Sequence, residues 1–337
     1  MSETASSSRR GSRAVRAAAG SAALLALIGY VVLQQSTGSS VPGCTVRTAP
    51  GGGGPTYELS TEQAANAATI SAVGTTRGLP ERAVTIALAT ALQESTLYNI
   101  DHGDRDSLGL FQQRPSKGWG TPEQVMDPVY AAGKFYEGLE KVPGYSRLPL
   151  TVAAQKVQRS GFPQAYAKHE PNAALLAAAL TGRSGASLTC TPRGGVEAAG
   201  DPARVRKELT RAFGLKAADG PADGPAEGEA GGPSGAAAEG GAGPSVLSLP
   251  VRPGALGSGE QRGWELAHWA VARAEELGIE EVVFAGRVWS AQKSDEGWRK
   301  HGSGDSAPSR ADGATAAGAE VPGAGAAQES VRIRLAR

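Results

Sequence analysis

The period of hydrophobic and polar positions changes several times along this chain, and the changes divide it. An uncharged run from Ala17 to Leu33 follows Arg9, Arg10, Arg13 and Arg16. It sits at the short limit for spanning a bilayer. The polar, Gly-rich stretch 36–56, ending in Gly51-Gly52-Gly53-Gly54-Pro55, reads as a stalk. Helical patterning starts after it. Ser60 and Gln63 form a capping box ahead of an Ala-rich run that stops near Gly78. Pro80 opens the next helix, where Val84, Ile86, Leu88, Ala91 and Leu92 put apolar residues on every side, so this helix is predicted to be central. Residues 99–120 lose the helical period, are rich in Asp and Gly, and read as an irregular loop or short hairpin. Thr121-Pro122 with Gln124, Asp127-Pro128, Leu150–Arg159 and Pro171–Leu180 supply further helices.

From Thr191 to about Pro244 the composition collapses to Ala, Gly, Pro, Glu and Asp, the signature of a disordered linker. A charged stretch near Asp201–Leu215 is at most a marginal helix within it. A second folded unit starts near Val246. Trp264 to Val271 opens an amphipathic helix that ends at Leu277-Gly278. Val282-Val283-Phe284 and Arg287-Val288-Trp289 read as a hairpin around Ala285-Gly286, and Val331 to Leu335 alternates like an edge strand. The expected fold class is mainly α. It comprises a basic tail over 1–16, a transmembrane signal anchor over 17–35, the stalk over 36–56 and a helical domain over 57–190. A linker over 191–244 and a small α+β module over 245–337, with a low-complexity insertion at 302–328, complete it.

Composition narrows the function. A net charge of +1 over 337 residues argues against a nucleic-acid binder. Four scattered histidines and two distant cysteines cannot build a standard zinc site, so neither metal nor cofactor is expected. The N-terminal arginines stay on the cytoplasmic side, so everything after about residue 36 is exported. Gln34 and Gln35 follow the apolar run where a cleavage site would need small residues, which favours an anchor over a cleaved signal. The expectation is a single-pass cell-membrane protein with its C-terminal part extracellular, or a secreted protein if the segment is cleaved. High Ala, Gly, Arg and Pro content suits a high-GC Gram-positive host. Export makes a disulfide between Cys44 and Cys190 the leading expectation, with two free thiols the alternative.

The candidate chemistry starts at Glu94, at the end of the apolar helix. Desolvation there disfavours the charged carboxylate, and a carboxylic acid kept protonated near neutral pH is the proton donor that glycosidic cleavage requires. Gln93-Glu94-Ser95, followed by Ser107-Leu108-Gly109-Leu110-Phe111-Gln112, resembles the catalytic core of soluble lytic transglycosylases and goose-type lysozymes. The resemblance spans about residues 57–182 and implies a lysozyme-like helical domain. It also implies that Glu94 cleaves the β-1,4 bond between N-acetylmuramic acid and N-acetylglucosamine in peptidoglycan strands, leaving 1,6-anhydromuramyl products. Ser95 would hold the glutamate, while Gly109, Leu110, Phe111 and Gln112 would contact substrate. Tyr166 would correspond to a family tyrosine near the acid, although Val157 to Pro163 replaces the family's Ala-Tyr-Asn-Ala-Gly run.

Alternatives stand beside this reading. Asp104 or Asp106 could position a water and make the enzyme a hydrolytic muramidase, or Asp101, Asp104 and Asp106 could simply form turns. A non-catalytic wall-binding or scaffolding protein is the rival from another class. Tyr98 and Trp119 could stack on sugars or pack internally. Arg105, Arg114 and Lys117 read as a solvated rim, and His102 as structural. The tryptophans of the C-terminal module, Trp264, Trp269, Trp289 and Trp298, read as core.

Overall fold

The structure, a computed structural model, describes residues 42–48, 53–162, 164–196, 199–214, 245–251, 257–302 and 330–337. The basic tail, the anchor segment, linker residues 215–244 and insertion residues 303–329 lie outside the described residues. Among the described residues no helix is long and apolar enough to cross a membrane.

Two short strands come first, β1 (Gly43–Arg47) and β2 (Thr56–Leu59). Helices α1 (Thr61–Thr76), α2 (Glu81–Ser95), α3 (Pro122–Val125), α4 (Pro128–Glu140), α5 (Leu150–Gln158) and α6 (Glu170–Leu180) follow, then β3 (Leu188–Thr191) and α7 (Pro202–Phe213). The remaining elements are β4 (Val246–Pro250), α8 (Gly259–Ala272), α9 (Ala274–Leu277), β5 (Ile279–Phe284), β6 (Arg287–Ser290), β7 (Arg299–Lys300) and β8 (Ser330–Leu335).

The strands form two antiparallel sheets, β2-β1-β3 and β4-β8-β5-β6-β7. This corrects the mainly α expectation: the described residues are an α+β mixture, about 50% helix and 17% strand. The first sheet was missed because its strands are four or five residues long, too short for period-two alternation to emerge from a Gly-rich background. β1 falls inside the stretch expected to be stalk, yet its Cys44 and Val46 are buried. Cys44 lies directly opposite Cys190 on β3, and the two are disulfide-bonded. β8 is no edge strand either, since β4 and β5 pair on its two sides. Its register depends on partners about fifty residues away or farther, which local alternation does not encode.

α2 is the centre of the helical layer, packed against α1, α4, α5 and α6 with Ala83 to Leu92 all buried. α8 is the second hub. One side lies on β5 and β8; the other contacts α1, α6 and β3, so Gly263 to Ala272 are buried throughout. The amphipathic reading of this helix is therefore corrected. Its polar residues are buried with partners: Glu265 accepts from Arg262 Nη1 at 2.6 Å and from the Thr75 hydroxyl, and His268 is sealed completely. α7, read as marginal, inserts Val205, Leu209 and Phe213 into the same core.

Candidate functional site

Glu94 is the penultimate residue of α2, and the chain turns sharply just beyond it. Thr96 (φ 55°) and Leu97 (φ 64°) take left-handed backbone, and their N–H groups donate back to Leu92 and Ala91. Leu97 is fully buried, which anchors the turn. From α1, the Gln63 and Asn66 side chains donate to the carbonyls of Thr96 and Leu97, each at 2.8 Å. The segment carrying the acid is thus fixed from both sides.

The carboxyl itself is half-buried, and Tyr166, fully buried, donates its hydroxyl to Glu94 Oε1 at 2.7 Å. Burial pushes the Glu94 pKa up, opposed in part by hydrogen bonding from Tyr166 and from Gln158. Its place in the last helical turn adds to this upward pressure, because the negative end of the helix dipole disfavours an anion there. The same burial, with the carboxylate close by, raises the Tyr166 phenol well above its ordinary value, so it acts as a donor.

Ser95 joins the two halves of the sequence motif. Its hydroxyl lies 2.8 Å from the Leu110 carbonyl, to which it donates, and 3.2 Å from that of Ala91. Leu110 and Phe111 do not present their side chains to a ligand. Both are fully buried, and Phe111 stacks on Phe135 with ring centroids 4.8 Å apart. They serve the site through their carbonyls, Leu110 taking Ser95 and Phe111 taking Gln158 Nε2 at 2.7 Å. In a segment this apolar, the core takes both side chains.

Gly109 has φ 74°, and a Cβ there would meet the Val125 carbonyl at 2.6 Å, so only glycine fits. The Gln112 amide donates within its own loop, to His102 and Gly109 carbonyls at 3.3 Å each. Leu108 and Gln113 form an isolated antiparallel bridge that closes this loop.

The acidic loop residues divide. Asp106 accepts from Arg114 Nε and from the Ser116 backbone, both at 2.8 Å, which holds its carboxyl far below the usual range. Arg114 is therefore a loop tie, not rim. Asp101 pairs with His102 at 3.0 Å in full exposure, and Asp104 is exposed. The two aromatics weighed for stacking have other engagements. Trp119 packs against the core, and Tyr98 donates to Ser60 Oγ at 3.2 Å.

Two neighbours of the acid escaped the sequence reading. Gln158, at the end of α5, lies against Glu94, and its Oε1 is buried without a partner. His169 Nε2 sits 3.1 Å from Gln93 Oε1, with its pKa lowered by burial. The only available signal was that Gln158 and His169 bracket Tyr166 in sequence.

Residues 205–310 match the family model described as VldE, C-terminal domain. That stretch runs from α7 through β7, covers under a third of the chain and excludes Glu94. No curated protein matches the chain.

Proposed function

We propose that this protein is a peptidoglycan lytic transglycosylase with Glu94 as its single acid and base. The observation that carries the reading is the Glu94 carboxyl: half-buried, raised in pKa by desolvation, and held at 2.7 Å by a buried tyrosine. In the protonated form Glu94 gives its proton to the glycosidic oxygen as the bond to the muramyl anomeric carbon breaks. The substrate's acetamido oxygen meets the positive charge developing there. Ionised Glu94, stabilised by the Tyr166 hydroxyl, then removes the proton from the muramyl 6-hydroxyl, whose oxygen closes the 1,6-anhydro ring. One carboxyl serves both steps, unlike the usual pair.

An inverting hydrolase needs a free second carboxylate to activate water; Asp106 is consumed by Arg114 and Ser116, which leaves exposed Asp104 as the carboxylate for a muramidase route. The partners proposed are peptidoglycan strands outside the cytoplasmic membrane, with residues 17–35 as the anchor to it.

Digestion of purified peptidoglycan followed by mass analysis of the muropeptides tests the proposal. Products lighter by one water than hydrolysed ends support the lyase; full hydrolysed masses overturn it in favour of a muramidase, and no release in favour of a binder. Glu94→Gln is expected to abolish release while retaining wall binding, and cleavage by that variant would remove Glu94 from the mechanism.

A further inference from the structure

The loop between α5 and the short 3₁₀ turn at Ala167–His169 is held at both ends by groups that touch the acid. Gln158 begins it, fixed to the Phe111 carbonyl and lying against Glu94; Tyr166 ends it, bonded to Glu94 Oε1. Arg159, with φ 53°, turns the chain out of the helix. Between these anchors Ser160 lies beside the Tyr166 hydroxyl, and its own Oγ accepts from the Phe162 N–H at 3.1 Å. The Gln155 side chain donates to the Ser160 carbonyl at 2.8 Å, and Ala165 N–H donates to the Phe162 carbonyl at 3.0 Å. The loop is therefore tied at Ser160, Phe162 and Ala165.

Its tip is nonetheless bare. Phe162 is 78% exposed, against 38% for Val152 and 44% for Val246, the other large apolar residues exposed among the described residues. A Cβ added at Gly161 would meet nothing within 4 Å, so the tip stands clear of neighbouring atoms. A lone exposed apolar residue is ordinary. One that stands four residues before the tyrosine bonded to the candidate acid at 2.7 Å is less so.

We infer that Phe162 is a substrate-contacting residue, whose ring packs on the apolar C–H face of a pyranose in the glycan strand next to the bond that Glu94 cleaves. This rests on the transglycosylase reading for the identity of the strand. A pyranose presents a patch of axial C–H groups that an aromatic face, carrying partial negative charge, attracts. The bonds along the loop hold the backbone in place before the sugar arrives, which limits the entropy lost on binding. Tyr98 and Trp119 have other engagements, whereas the Phe162 ring stands exposed.

The test uses the full chain with two readouts. For binding, sedimentation with insoluble peptidoglycan is measured for Glu94→Gln with and without Phe162→Ala. For turnover, Phe162→Ala, Phe162→Tyr and Phe162→Trp are assayed in the otherwise native chain. Phe162→Ala is expected to weaken sedimentation about tenfold and to raise KM by a similar factor, with kcat, its pH profile and the melting temperature unchanged. Phe162→Tyr and Phe162→Trp restore both. Binding and KM within twofold of the native chain would overturn the inference, as would a loss confined to kcat. If the native chain releases no product, the transglycosylase reading fails on its own, and sedimentation alone decides the part played by Phe162.

Discussion

The hydroxyl of Tyr166 donates to Oε1 of Glu94 at 2.7 Å, across a sequence separation of 72 residues. This bond favours the ionised carboxylate, while burial favours the acid. The two opposing influences suit a group proposed to give a proton and then take one back.

Removing the hydroxyl should expose the balance. In Tyr166→Phe, desolvation of Glu94 is no longer opposed by this donor, so its pKa rises further. The alkaline limb of the pH–rate profile, where the acid loses its proton, then moves to higher pH. Hydrogen bonds to charged groups contribute about 1.5–3 kcal/mol, so kcat should fall roughly tenfold to a hundredfold. A full pH–rate profile of this variant checks both; an unshifted limb would place the tyrosine outside the proton inventory.

The raised pKa also has a cost in stability. Between the ordinary carboxyl value of 4.5 and the higher folded value, the folded chain binds more protons at Glu94 than the unfolded chain does. Stability therefore falls as pH rises through that window. Glu94→Gln, which keeps an acceptor for Tyr166, should raise stability at neutral pH by about 1 kcal/mol, typical of relieving a strained functional site. The gain should fade below pH 4.5. Thermal melts of both forms across pH measure it, and a gain independent of pH would mean that the carboxyl is not the source.

Much of the helical layer was legible because its signals are local. Ser60 with Gln63 and Thr121 with Gln124 form complete capping boxes, and Asp127 caps the helix that Pro128 begins. The position of Glu94 followed from the uniformly apolar helix behind it. What escaped depends on distant partners. β1 is defined by pairing with β3, 146 residues away at the disulfide. Glu265 and His268 sit buried in a helix expected to be amphipathic because Thr75, Ala179 and Ser187, all far away in sequence, meet them there; only Arg262, three residues before Glu265, is local. Gln158 reaches the acid only because α5 ends against the Phe111 carbonyl.

The same distant packing makes a glycine in the turn after α6 unusually sensitive. Gly182 has φ 74°, and a Cβ on it would fall 1.8 Å from the backbone carbonyl of Gln261 in α8, whose side chain also donates to the Thr181 carbonyl at 3.1 Å. Neither backbone can yield without separating α6 from α8. Gly182→Ala combines that clash with left-handed strain of about 1 kcal/mol. The expected loss is several kcal/mol, read as a lower midpoint in denaturant unfolding. Tolerance of alanine would show that the helical layer and α8 are not joined at this turn.

His268 should make that junction acid-sensitive. Its Nδ1 lies 2.8 Å from the Ala179 carbonyl and its Nε2 accepts the Ser187 N–H at 3.2 Å, so the neutral ring with hydrogen on Nδ1 satisfies both. Trp264 and Trp298 pack beside it and exclude water. A proton on Nε2 would confront the Ser187 N–H, and burial accordingly lowers the pKa from 6.5 to about 4. The unfolded chain binds this proton more readily, so the contribution is fully present above pH 6.5 and lost as pH falls towards 4. At about 1.4 kcal/mol per unit of difference, the loss approaches roughly 3 kcal/mol. His268→Gln has no such titration. Its stability should be lower at pH 7 through imperfect packing, yet flatter between pH 6.5 and 4 once the slope shared with the native chain is subtracted. Parallel denaturant titrations at several pH values make the comparison, and parallel slopes for the two proteins would mean that His268 does not titrate on unfolding.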